Sequence, residues 1–241
     1  MLRQIVKDYD VIDPIVGSTL LPGGESASPK ELIYHILKDN TAKVEVLDIG
    51  FGKGGLGDML KANAATAHWS VDGVDGFEGS CNNPGMFARK IYRNVWHGMA
   101  QSIPSDRLAR YDIICLLDVI EHLNAETAKW LLRTLLSSMG ENAFLFISTP
   151  LWFYPQHSQQ SGDLEEHLIG VSAASMMALI PIMYAVNHPL IGGFVLGKRS
   201  LEFVEFFQPT TDKSFSFQRG SLLASAVNCQ TVPGKFFTLT Q

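Results

Sequence analysis

At 241 residues, with 46% apolar and 18% charged, the chain is long enough for one large domain with a substantial core, alone or with an extension. A formal net charge of −5 lacks the Lys/Arg excess that phosphate backbones demand, which argues against nucleic acid as the main partner. The three cysteines, Cys81, Cys115 and Cys229, have no metal-ligand spacing, and their odd number rules out a complete disulfide framework, so a reduced, cytoplasmic setting is expected.

MLRQIVKDYDVIDP carries charges near its start and no long apolar run, so it does not read as a signal peptide. Clear periodicity begins only after the loop PGGESAS. SPKE then offers a capping box, with Ser28 as cap, Pro29 in the first helical position and Glu31 reaching back, and predicts a helix to about Asn40. VEVLDIG is a buried strand, followed by a glycine-rich loop and a helix through about Ala64. HWSVDGVDG reads as a second strand, the segment from Phe77 to Arg93 as loop and helix, and NVWHG as a third strand.

YDIICLLD is the fourth strand. Asn124 caps the next helix, whose apolar face is expected to hold Trp130, Leu131, Leu135 and Met139, with Gly140 ending it. NAFLFISTP is the fifth strand, and the polar-aromatic stretch 151–170 reads as an insertion. From Leu168 to Gly197 there is no Asp, Glu, Lys or Arg, but Pro181, Asn187, His188, Pro189 and a glycine pair interrupt the run. It reads as a buried helix from Ser172 to about Ile180 and two buried strands, IMYAVN and IGGFVLGKR, rather than a membrane span, which needs roughly 20 continuous apolar residues. After Ser200, LEFVEFF, SFSFQ and KFFTLT have the look of extra strands. Alternating helices and continuously apolar strands describe a parallel sheet covered on both faces.

The glycine loop carries the chemistry. Gly50, Gly52 and Gly55 satisfy G-x-G-x-x-G, as do Gly52, Gly54 and Gly57. Missing Cβ atoms let a ligand approach the backbone, and the following helix N-terminus favours negative charge. That pattern alone fits a nicotinamide site equally well. Asp75, at the end of the second strand, can accept hydrogen bonds from both hydroxyls of a ribose and serves either cofactor, with Asp72 as the competing acid. Asp118 falls at the carboxyl edge of the fourth strand, where open α/β sheets bind ligands, and Glu121 and His122 begin the next loop.

Asp48-x-Gly50-x-Gly52-x-Gly54 resembles the first motif of class I S-adenosylmethionine-dependent methyltransferases. VDGVDGF, NNP, DVIEHL, STPLWFYPQ and Glu165-x-His167 follow in the order of a bacterial group within that family, from about Val44 to Arg199. The resemblance implies a Rossmann-like α/β fold: a mostly parallel seven-stranded sheet with helices on both faces and an antiparallel last strand. It implies a methyltransferase domain over 1–199, with the insertion at about 151–170 and a C-terminal extension, 200–241, packed on the same domain. Asp48, Gly50, Gly52 and Gly54 would hold the methionine part of S-adenosylmethionine, Asp75 the ribose, and Gly76 and Phe77 the adenine side. Asp118 and Val119 would complete the site. The family's basic loop residue and its Ser-Gly-Trp after E-x-H are absent or altered, the latter reading LIGVS. Where the family has an acid after the third-strand glycine, this chain has Met99 and Ala100, so backbone and apolar contact are expected to hold the adenine.

The insertion would form a lid over the acceptor pocket. His122, His157 and His167 are candidate bases, with His167 preferred and Glu165 orienting it. Trp152, Phe153 and Tyr154 either line the acceptor site or pin the loop. No metal is expected. The resulting function is methyl transfer to a small-molecule or saccharide acceptor, with a homo-oligomer contact through the extension. The alternatives are a nicotinamide-dependent oxidoreductase and a catalytically silent binding module.

Overall fold

The structure, a computed structural model, describes residues 27–37, 42–158, 161–187 and 190–229. The end of the first expected helix near Asn40 and the KFFTLT segment lie outside the described residues.

Seven strands form one sheet: β1 (Glu45–Ile49), β2 (Ser70–Asp75), β3 (Asn94–His97), β4 (Ile113–Leu117), β5 (Phe144–Pro150), β6 (Met183–Asn187) and β7 (Ile191–Leu196). Their order is β3-β2-β1-β4-β5-β7-β6. The first five are parallel, and β7 runs antiparallel between β5 and β6. The strand order reverses between β1 and β4, and open α/β sheets bind ligands at the carboxyl ends of strands at such a switch point.

The helices are α1 (Ile33–Ile36), α2 (Gly55–Ala62), α3 (Glu78–Cys81), α4 (Pro84–Arg89), α5 (Ser105–Leu108), α6 (Ala125–Ser138), α7 (Ala173–Met177) and α8 (Lys213–Cys229). Both sheet faces are buried because alternate strand residues point to opposite sides. In β4, Ile114 and Leu116 pack with Leu131, Leu132 and Leu135 of α6, while Ile113, Cys115 and Leu117 pack with Ile33, Leu56 and Leu60 on the other face. Among the described residues, no helix is long and apolar enough to cross a membrane.

Helix α6 shows sequence dictating local structure. The Asn124 side chain accepts a 2.8 Å bond from the Thr127 amide and so satisfies one of the helix's free N–H groups. Ala128, Leu131, Leu132, Leu135 and Leu136 are fully buried at helical spacing. Trp130 lies on the opposite side and is 45% exposed, contrary to the expected face, because each residue turns the helix by about 100°. Met139, in extended backbone, ends the helix one residue before the expected glycine.

Two further expectations are corrected. Ser28 does not cap a helix: its hydroxyl accepts from Lys30 Nζ at 2.9 Å, and the helix opens with a 3-10 turn over Lys30–Leu32 that has no side-chain cap. LEFVEFF and SFSFQ are helical, not strands. The first lies in a 3-10 helix over Lys198–Phe206, where the buried Ser200, Val204 and Phe207 recur at helical spacing. The second lies in α8, whose start is tied by Asp212 Oδ1 accepting from the Phe215 amide at 3.0 Å.

Candidate functional site

Strand β1 ends in a turn in which Gly50 and Gly52 both adopt positive φ, +73° and +53°. At Gly50 an added Cβ would sit 2.4 Å from Val119 Cγ2, so the turns after β1 and β4 press together there. At Gly52 the same position has nothing within 4 Å, so this residue faces open space, as a ligand cradle requires. Its amide is held from below by Asp75 Oδ2 at 2.8 Å, while Asp75 Oδ1 accepts from the Phe77 amide at 2.7 Å. Burial raises the Asp75 carboxyl above its usual range, partly offset by these two N–H groups. Each carboxylate oxygen has a second lone pair for a hydroxyl.

Asp48 is buried in β1, and its Oδ2 accepts from the Tyr92 hydroxyl at 2.7 Å. Desolvation pushes its pKa to about 6. Asp72, three residues before Asp75 and therefore on the other sheet face, is held by Arg93, Asn94 Nδ2 and Tyr111. Burial opposes its ionisation, but these three partners outweigh it and keep the carboxyl below its ordinary value. Asp72 is thus a structural acid away from the cradle.

Gly76 lies beneath Leu164 of the insertion and Met99: an added Cβ would meet their side chains at 2.7 and 2.8 Å. Phe77 packs back over Gly79 rather than standing free. Ala100 opens a 3-10 turn over Ala100–Ser102 and packs against the α6-side core. Of Met99 and Ala100, it is Met99 that comes nearest to the covered glycine.

After β4, Asp118 adopts φ +54°, a conformation that Asp tolerates better than most side chains. Its Oδ1 accepts from Ser148 Oγ at 2.7 Å, which links the ends of β4 and β5. Val119 then closes on Gly50, and Ile120–His122 forms a 3-10 turn. Glu121 is buried in that turn, and burial, reinforced by Asp118, raises its carboxyl well above the usual range.

The insertion is stitched to this turn: the Leu168 and Ile169 amides donate to the Glu121 carbonyl at 2.8 and 3.2 Å. Trp152 and Phe153 pin the loop to α8. The Phe153 amide donates to Ser216 Oγ at 2.8 Å, and the Trp152 and Phe217 rings lie 5.9 Å apart. His167 is buried and meets the His122 ring at 4.6 Å, edge-on. Burial, then the neighbouring His122, lowers its pKa to about 4. The expected Glu165 orienter is corrected: exposed Glu165 accepts from Gln156 Nε2 at 3.0 Å, and the group that meets His167 Nδ1 is the Tyr154 carbonyl, at 2.5 Å. His157 is exposed. Tyr92 and Leu164 carried no motif in the sequence, and Ser148 and Tyr154 stand in STPLWFYPQ without their partners being legible there, because each acts through a long-range contact.

The glycine turn, Asp75 and the Asp118–Val119 turn meet at the carboxyl ends of β1, β2 and β4, and the methyltransferase domain family model matches residues 25–177. The chain belongs to that family. Membership decides between the two cofactor classes left open by the glycine pattern: this methyltransferase domain is of the S-adenosylmethionine-dependent kind. The residues present fit that cofactor, since the turn leaves open space at Gly52 and an anchored acid stands beneath it. The methyltransferase domain is 25% identical over 123 residues to the ubiquinone biosynthesis O-methyltransferase of Rickettsia conorii, covering 50% of this chain and 40% of that protein. It is similar to the YcgJ protein of Bacillus subtilis, with 19% identity, 53% and 51% of the two chains covered and a TM-score of 0.41. It is also similar to the N-terminal domain of EvdMO1 with SAH bound, with 13% identity, 70% and 80% covered and a TM-score of 0.47.

Proposed function

We propose that this chain transfers a methyl group from S-adenosylmethionine to a small-molecule or saccharide acceptor by in-line displacement. The observation that carries the reading is the Asp75–Gly52 bond, which fixes an acid under an open glycine turn at the sheet's switch point. In this reading Asp48, Gly50, Gly52 and Gly54 take the amino-acid end of the cofactor and Asp75 its ribose. Gly76, Phe77, Met99 and Ala100 border the adenine, and Asp118 and Val119 close the near side. The name of the Rickettsia relative favours an oxygen as the methyl acceptor.

S-adenosylmethionine supplies a methyl group already activated by its sulfonium. The protein's remaining task is to place a nucleophile in line with the methyl–sulfur bond and exclude water. The insertion, pinned by Trp152 and Phe153 and carrying Leu164 over Gly76, supports a covering role. His167 is the preferred proton acceptor and His122 the second. At a pKa of about 4, His167 is a weak base, so positioning rather than proton removal would carry most of the rate. Among the described residues Cys81 and Cys115 are free and buried, which suits a reduced cytoplasmic setting.

Calorimetry with S-adenosylhomocysteine and, separately, with NAD tests the cofactor assignment. Heat with the first alone is expected, and heat with the dinucleotide alone overturns the reading. Turnover of labelled S-adenosylmethionine across a panel of phenols, polyols and sugars then separates an enzyme from a silent binding module.

A further inference from the structure

Glu121, His122 and His167 each bring one potential ligand atom, a carboxylate oxygen or a ring nitrogen, to within 4.8 Å of the other two. They come from two places, the turn after β4 and the end of the insertion, and the Leu168 and Ile169 amides on the Glu121 carbonyl lock those places together. The sequence offered only an Glu-His pair and a distant His, with no ligand spacing.

Both imidazoles are oriented from behind. His122 Nδ1 lies 3.1 Å from the Glu166 carbonyl, and His167 Nδ1 lies 2.5 Å from the Tyr154 carbonyl. A carbonyl only accepts, so each Nδ1 bears a proton, and in the neutral ring the remaining lone pair is on Nε2. A ring N–H given to a backbone carbonyl is the arrangement that aims metal-binding histidines. The third member is more telling. Glu121 is only 3% exposed, and Oε2 of its carboxyl has no hydrogen-bond partner among the described residues. A buried acceptor without a donor costs on the order of 1–3 kcal/mol, more when charged. Two lone pairs and an unpartnered carboxylate oxygen share a need for a cation.

We propose that Glu121, His122 and His167 form a binding site for one divalent transition cation of the Zn²⁺ type. Two imidazoles and one carboxylate match the softness of such an ion and disfavour Mg²⁺ or Ca²⁺, which take mostly oxygen ligands. Three protein ligands leave a coordination position open. With the ion bound both ring lone pairs are used, so the two histidines would act as ligands in place of proton acceptors; the open position would take an oxygen of the methyl acceptor, a role that rests on the methyl-transfer reading above, while ion binding itself does not.

The full-length, untagged chain, stripped with chelator, is titrated with Zn²⁺ by calorimetry and with Co²⁺ by visible absorption. One ion per chain is expected, with Co²⁺ giving the bands of nitrogen coordination. Glu121→Gln and His122→Asn should each lose about ten-fold or more in affinity. Half-exposed His122 is the safer substitution if buried Glu121→Gln does not fold. Absence of a stoichiometric ion, or wild-type affinity in a folded variant, overturns the site. S-adenosylhomocysteine binding to the stripped chain is measured in parallel. Its heat without any bound ion rejects the metal site and leaves the methyltransferase reading intact. A bound ion without that heat supports the site and removes the acceptor role.

Discussion

Asp75 and Gly52 are joined by a 2.8 Å bond from the glycine amide to the carboxylate, so the end of β2 and the turn after β1 are one unit. In the proposed reading Asp75 has two jobs, shaping the turn and offering lone pairs to a ribose. Asp75→Ala should weaken S-adenosylhomocysteine binding by roughly 1–3 kcal/mol through lost charge-assisted bonds. Asp75→Asn keeps an acceptor for one amide and should lose less. Calorimetry on both variants checks the order; equal affinity of Asp75→Ala and wild type would remove Asp75 from the site.

Arg93→Ala provides the contrast. It strips a charged partner from buried Asp72 but leaves Asn94 and Tyr111 in place. Stability should fall by about 1–3 kcal/mol in urea unfolding, with S-adenosylhomocysteine affinity unchanged. A large loss of affinity at constant stability would place Asp72 in the cradle after all.

Gly50→Ala faces two penalties, a left-handed φ of +73° and a Cβ 2.4 Å from Val119 Cγ2. Strain and overpacking each cost on the order of 1–3 kcal/mol. Adding Val119→Ala relieves the collision but not the dihedral, so the double variant should recover only part of the loss. Full recovery, read from denaturation midpoints at constant slope, would show that crowding alone excludes a side chain here.

Asp48 makes stability depend on pH. Its folded pKa is raised from 3.8 to about 6, so the folded chain binds a proton more tightly than the unfolded one in this window. Stability from this group is then fully present below about pH 4 and falls as pH rises towards 6, by about 3 kcal/mol at most. Asp48→Asn should flatten that part of the profile and stabilise the chain at pH 7, while weakening S-adenosylhomocysteine if the acid meets its amino group. A profile unchanged by the substitution would mean that Asp48 is not buried as an acid.

Much of this was written in short-range pattern. The apolar runs of β1, β4 and β5, the Asn124 cap and the glycines before α2 are local signals, and local sterics and hydrogen bonding answer to neighbours in the chain. Position three residues apart on a strand even separates Asp75 from Asp72, although only the Arg93, Asn94 and Tyr111 contacts show which of the two is engaged elsewhere. The apolar stretch after Ser200 misled because alternating Phe residues fit a strand as well as a helix until a packing partner is known.

What the chain order could not express is which side chains converge. Tyr92 on Asp48, Leu164 over Gly76 and His167 against His122 join residues 44, 88 and 45 positions apart, the last pair completed by buried Glu121. Such pairs exist only once the sheet has closed and the insertion has folded back on the β4 turn. Sequence by itself determined the elements and the glycine cradle, whose causes are local; tertiary structure decided the partners, because burial and convergence belong to the packed whole.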